Sequence, residues 1–156
     1  MRRVGWSAVE QARLRGLSPP FGGLVRAALV RLNAACDAVK IHPLVTSGRR
    51  DPEEQWALFA RGRERRGDVW TIVEPTAVVT RATPRESPHC YGLALDVLLR
   101  DDHTRLVLRD DDPRWTLWGQ AIDVSPLLEW GGSWRAIIDR PHCQLRAWWR
   151  HRRDAT

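Results

Sequence analysis

Among the five histidines and nineteen acidic residues of this 156-residue chain, only a few are spaced so that they could act together. His89 and Asp96 lie in SPHCYGLALD (87–96), separated by a Tyr91-Gly92 turn and a short apolar alternation. A strand over Leu93–Leu98 has a period of two, which puts Ala94, Asp96 and Leu98 on one face and Leu93, Leu95 and Val97 on the other. Asp96 is then a carboxylate carried inward by a rigid element, with His89 just upstream to meet it. A second histidine, His142, closes the segment DRPH (139–142). Two imidazoles and one carboxylate suit zinc, whose catalytic sites use three protein ligands and keep a fourth position open. Such a site polarises a carbonyl and lowers the pKa of water, provided a base takes the water's proton. Asp139, three residues before His142, is the candidate general acid and base.

Other chemistries find little support. His42, His103 and His151 each stand alone and read as surface or satisfied polar groups. HExxH, GxSxG, the P-loop and GxGxxG are all absent, and Ser47-Gly48 and Ser87 have no flanking signal of a nucleophile. Cys36, Cys90 and Cys143 are an odd number without CxxC spacing, so neither a disulfide framework nor a cysteine zinc site is supported. They read as small buried hydrophobes, although Cys90 and Cys143 each follow a histidine of the proposed set.

The elements that must position these residues follow in order. Residues 1–20 show no strong periodicity, and Ser18-Pro19-Pro20 punctuates before the first element. Val25, Leu29, Leu32, Cys36 and Val39 recur at helical spacing, which predicts one amphipathic helix over 24–39. Residues 41–46 read as a short strand that Pro43 demotes to an edge or irregular one. Asp51, Pro52 and Glu54 announce a helix start, and the helix should end near Gly62. Residues 64–88 read as loop and short strand. After the strand over 93–99, Asp101-Asp102 turns and 105–108 returns as a hairpin partner. A helix over 113–122, a helical turn opened by Ser125-Pro126, a final strand in DRPHCQL and a helical tail complete the chain.

Composition bounds the rest. With 43% hydrophobic and 28% charged residues, the chain is ordinary globular material and forms one domain over 1–156, its core at about 22–146 with 1–20 and 147–156 peripheral. The net charge of +6 is almost all arginine and favours anionic partners. The charges are scattered among carboxylates, so nucleic acid is not expected, and RGRERR (61–66) and RHRR (150–153) read as solvated surface. The N-terminus lacks the apolar run of a signal peptide, and no segment reaches the length of a membrane span. The expectation is a protein made in the cytoplasm, monomeric and without stable membrane association.

These residues also carry a specific resemblance. SPHCYGLALD resembles the S-x-H-x-x-G-x-A-x-D signature of the peptidase M15 family, the zinc D-alanyl-D-alanine carboxypeptidases and related phage endolysins. EWGGSWRAIIDRPHCQ is similar to that family's W-G-G-x-W and D-x-P-H segment, TSGRRDPEEQWALFARGR to its S-G-x-R segment, and VTRATPRESPH to its V-T-x-A lead-in. The resemblance implies an α+β fold in which a small antiparallel sheet carries the metal site and helices pack against it. It implies zinc on His89, Asp96 and His142, Asp139 as catalytic acid and base, Arg50 as anchor for a substrate carboxylate, and Gln55 and Ser87 in support. Cys90, Cys143 and Gln144 depart from residues the family often has there.

The implied substrate is the stem peptide of bacterial peptidoglycan, and the implied activity that of an L-alanyl-D-glutamate endopeptidase acting on the cell wall after holin-type release. A D-alanyl-D-alanine carboxypeptidase or dipeptidase on the same scaffold is the alternative. A third reading is a non-catalytic, zinc-containing wall-binding or virion protein, against which the intact Asp139 argues.

Overall fold

A computed structural model describes residues 5–154. Chain order gives helices α1 (Ala8–Arg15) and α2 (Pro19–Ala38), strand β1 (Ile41–Ser47), helix α3 (Pro52–Ala60), strands β2 (Arg63–Arg66), β3 (Val69–Ile72) and β4 (Ala94–Asp101), helix α4 (Thr116–Ile122), and strands β5 (Leu128–Trp130) and β6 (His142–Leu145). Four strands form one antiparallel sheet in the order β1-β4-β6-β5, and β2-β3 form a separate hairpin. This is the α+β architecture expected.

The predicted alternation of β4 organises the core. Leu95, Val97 and Leu99 are fully buried, while Asp96 and Leu98 on the opposite face are only partly covered. The core cluster joins these leucines and valines to Phe21, Val25, Leu29 and Leu32 of α2 and to Trp118 and Ile122 of α4. The sheet therefore has an apolar face under helices and a second face free to carry polar groups. Leu14, Leu17 and Trp148 are buried in the same cluster, so both chain flanks contribute to it.

Several local expectations are corrected. α2 begins at Pro19, five residues before the predicted start, because Pro19 and Pro20 occupy its first turn, where the missing N–H has no helical partner to lose. Val39 is the half-exposed C-cap rather than part of the buried stripe. Residues 8–15, read as lacking periodicity, form a helix started by a capping box between Ser7 and Glu10. Residues 105–108 make one isolated bridge, Arg100 to Val107, instead of a strand. Ser125-Pro126 leads through a turn into β5 rather than into a helical turn. The tail over Trp148–Asp154 is 3-10 helix.

The edges of the sheet are treated differently. At β1, the Glu10 carboxylate accepts from the Val45 N–H at 3.0 Å, and Arg13 donates to the Val45 carbonyl at 2.7 Å. At the other edge β5 is three residues long. Among the described residues, no helix is long and apolar enough to cross a membrane.

Candidate metal centre and substrate cleft

The strand register builds the site as a row across the sheet. Ser47 on β1 faces Asp96 on β4, and Asp96 faces His142 on β6. Directly opposite residues of an antiparallel pair hold their Cβ atoms within about 5.5 Å, close enough for short side chains to converge. His89 joins this row from the 3-10 turn Pro88–Tyr91, which ends at Gly92 with φ of 68°. A Cβ there would also strike the Ser18 backbone nitrogen at 2.9 Å, so glycine is needed for both conformation and space.

The two histidines and the carboxylate meet as expected. His142 Nδ1 is 3.0 Å from Asp96 Oδ1 and His89 Nε2 is 3.4 Å from Asp96 Oδ2. One ligand atom from each of the three lies within 4.8 Å of the others. The far nitrogen of each ring is held as well: His89 Nδ1 lies 2.8 Å from the Gly48 carbonyl, and His142 Nε2 lies 3.0 Å from Gln144 Oε1. Each far nitrogen thus has an acceptor for its hydrogen, and the nitrogen facing Asp96 is the one that a cation would take in place of the hydrogen shared with the carboxylate. Metal-binding histidines are oriented in this way, so the donor set fits a cation held between three electron-rich atoms.

Burial alone would push the Asp96 carboxyl up, but the charges of His89 and His142 and hydrogen bonds from both hold it far below the usual carboxylate range. His142 shows the complementary effect. Burial pulls it down, yet the hydrogen bond and charge of Asp96, with Gln144, leave it raised.

Asp139 lies beyond the ligand set, on the wall of the same cavity of about 370 Å³ that Arg50, Ser87, His89, Asp96 and His142 also line. Burial raises its carboxyl above the ordinary value, with His142 opposing and Asp96 adding to the rise. A carboxyl raised toward neutrality is suited to exchange protons. Its position depends on Gly131, where a Cβ would lie 2.3 Å from the Asp139 carbonyl oxygen. The DRPH segment is also clamped by two tryptophans: Trp118 Nε1 donates to the Pro141 carbonyl at 3.0 Å and Trp130 Nε1 to that of Arg140 at 2.7 Å.

Arg50 reaches the same cavity. Its guanidinium donates to Gln55 Oε1 at 2.6 Å and Ser47 Oγ at 3.0 Å, and lies 3.9 Å from Asp96 Oδ2. Gln55 is buried and donates onward to the Ala82 carbonyl at 2.8 Å, so it supports Arg50 from behind. Ser87 is buried in the cavity wall. A wider groove of about 680 Å³, lined by Val79, Thr80, Trp134, Ile137 and Asp139, continues from this cavity. Cys36 and Cys143 are buried free thiols, and burial pushes Cys36 up to about 12. Cys90 is a partly buried free thiol, raised by burial.

Sequence reasoning missed two contributors. Gly48 acts through its backbone carbonyl, which side-chain patterns do not reveal. Glu129 accepts from Gln144 Nε2 at 3.1 Å and from Trp134 Nε1 at 2.9 Å. Its position next to the Trp-Gly-Gly-x-Trp motif was the available signal.

A three-donor set on a sheet face, with a separate carboxylate on the wall of the same cavity, is an arrangement able to hold a cation and to exchange protons beside it. Residues 80–145, which include His89, Asp96, Asp139 and His142, match a peptidase M15 family model described as D-alanyl-D-alanine carboxypeptidase. The chain is 29% identical over 127 residues to the peptidoglycan L-alanyl-D-glutamate endopeptidase CwlK of Bacillus subtilis (strain 168), a match covering 73% of this chain and 66% of that protein. The chain thus spans just under two thirds of that relative's length. Its fold is that of the crystal structure of Serratia marcescens L-Ala D-Glu endopeptidase ChiX, with a TM-score of 0.58 at 21% identity over 97% of this chain and 93% of that one.

Proposed function

We propose that the chain is a zinc-dependent endopeptidase that cleaves the L-alanyl-D-glutamate bond of peptidoglycan stem peptides. The observation that carries this reading is the convergence of His89 Nε2, Asp96 and His142 Nδ1 with both outer nitrogens committed as donors. The activities of CwlK and ChiX support the choice of bond.

Zinc in this set would supply Lewis acidity toward the scissile carbonyl and toward water. His89, His142 and Asp96 would hold it with two neutral donors and one negative charge. Asp139 takes the proton of the attacking water as the oxygen bonds to the carbonyl carbon, then delivers it to the leaving amine as the C–N bond breaks. Arg50 binds a carboxylate of the substrate; in a stem peptide extended through the γ-carboxyl of D-glutamate, the α-carboxylate beside the scissile bond is free for this. A planar guanidinium presents two parallel donors to such a group. Ser87 and Gln55 hold the wall behind it, and Trp134 covers the cleft where it meets the ligand rings, its centroid 5.3 Å from that of His142.

The description of the matching family model favours a second reading, removal of the terminal D-alanine, for which Arg50 would clamp the free terminus. Digestion of purified peptidoglycan followed by identification of the new termini separates the two. New D-glutamate amino termini are expected; free D-alanine as the sole product overturns the endopeptidase reading. Near-stoichiometric zinc in the purified protein is expected, and its absence overturns the metal assignment.

A further inference from the structure

We propose that Arg81 is a specificity residue: it binds a free side-chain carboxylate on the residue that follows D-glutamate in the stem peptide. This role rests on the endopeptidase reading of the metal centre.

The inner cavity and the outer groove share one stretch of wall, formed by Val79, Thr80, Ala82, Trp134 and Asp139. Beyond it they differ. Arg50 and the metal-binding set line only the inner cavity, whereas Val78, Arg81 and Ile137 line only the outer groove. Asp139 stands at the junction. Arg81 is the one cation among the residues that line the groove, and most of the others are apolar.

The chain around Arg81 is irregular yet tethered on both sides. Arg63 Nη2 donates to the Thr80 carbonyl at 3.0 Å, Gln55 Nε2 to the Ala82 carbonyl at 2.8 Å, and the Ala82 N–H to Thr80 Oγ1 at 3.2 Å. Arg63 is fully engaged there, since it also donates to the Phe59 carbonyl and lies over the Phe59 ring at 4.1 Å. Arg81 differs from it. Its side chain is exposed, and among the described residues it forms no ion pair, although Asp139 lines the same groove. A guanidinium tethered at its root and open at its head is arranged to meet a ligand.

The substrate supplies one. A D-glutamate linked onward through its γ-carboxyl branches at Cα, so that the α-carboxylate leaves in one direction and the side chain carries the peptide in another. With the scissile nitrogen beside Asp139, the α-carboxylate goes inward to Arg50. The side-chain methylenes then run outward over Val79 and Ile137, which brings the next residue to Arg81. A diamino diacid at that place offers a planar, two-oxygen acceptor to the arginine fork. A carboxamide there has lost the charge, and a lysine brings an ammonium that Arg81 repels.

Two matched peptides test this on the full chain: L-Ala-γ-D-Glu-X-D-Ala, with X a diamino diacid whose side-chain carboxyl is either free or a carboxamide. Cleavage rates give kcat/KM, and calorimetric titration of the corresponding products, γ-D-Glu-X-D-Ala, gives affinities without any chemistry. The parent should favour the free carboxylate about 10- to 100-fold in both readouts, as a charge-assisted hydrogen-bonded pair does. Arg81→Ala should bring that ratio close to one, Arg81→Lys should keep part of it, and Arg81→Glu should invert it.

A parent with no preference overturns the proposal, and so does an Arg81→Ala protein with the parental ratio. Cleavage at a bond other than L-alanyl-D-glutamate would sink the endopeptidase reading instead, and the affinities of the two products would still decide the part played by Arg81.

Discussion

The cleft has two walls of different construction. On one side His89, Asp96, His142 and Gln144 sit on or beside paired strands, and strand register fixes their spacing. On the other, residues 78–82 run without regular pairing, beyond the exposed β2-β3 hairpin. They are held by side chains reaching to backbone: Gln55 to the Ala82 carbonyl and Arg63 to the Thr80 carbonyl. The hairpin itself rests on α3 through Trp70 stacked on Trp56 at 6.2 Å. Groups that must meet within a few tenths of an ångström lie on the ladder. Groups that line the outer groove lie on chain that can adjust.

The largest effects should come from the ladder. His142→Ala should abolish retained zinc and reduce hydrolysis to background, whereas Asp139→Asn should keep the metal while kcat falls about 10²- to 10⁴-fold. Metal analysis and kinetics on both variants separate binding from proton transfer, and an Asp139→Asn enzyme of parental kcat would remove Asp139 from the mechanism. Beneath the same row, Leu95→Ala should cost about 2–5 kcal/mol in denaturant unfolding, the usual range for emptying a packed core position. A cost below about 1 kcal/mol would mean the sheet is not the rigid wall described.

The adjustable wall should respond more softly. Gln55→Ala unpairs Arg50 on one side and the Ala82 carbonyl on the other, so stability should fall by about 1–3 kcal/mol. KM should rise more than kcat drops. The reverse pattern, with KM unchanged, would argue that Arg50 does not meet substrate.

The smallest effect lies at the turn after β4. Hydrogen bonds from Arg114 first, then from the Thr104 and His103 N–H groups, hold the Asp101 carboxyl down to about 2. A carboxyl depressed in the folded state adds stability above its unfolded pKa of about 3.9 and loses it as pH falls toward the folded value. Arg114→Ala should therefore move the midpoint of acid unfolding slightly upward, as followed by circular dichroism. An unmoved midpoint would show the pair to be neutral.

Much of the metal side was legible because its signals are periodic or local. The alternation around Asp96 fixed both its strand and its face, and the Asp51-Pro52-Glu54 sequence fixed the start of α3. The opposite wall was harder to read. The hairpin turns at Gly67-Asp68, a pair that favours tight connections, but its strands are only four residues each and rich in arginine, so no apolar rhythm marks them. β5 is too short for a period to show, which concealed the pairing of Glu129 with Gln144. For α1 the signal existed: the Ser7 to Glu10 box stands in the sequence, but little apolar periodicity follows it. Gly48 enters the site through a carbonyl, a group every residue has, so only the fold could select it.

The contact between α1 and β1 also has a bearing on solubility. An uncovered sheet border is a template onto which another chain can add a strand, the first step toward ordered aggregates. Here Glu10 and Arg13 occupy both the donor and the acceptor of Val45, on the longer of the sheet's two border strands. Two side chains of a helix thus stand in for a neighbouring strand while offering no backbone of their own to extend the ladder. The first helix is in this sense a stopper, protecting the sheet from polymer growth at the border farthest from β5.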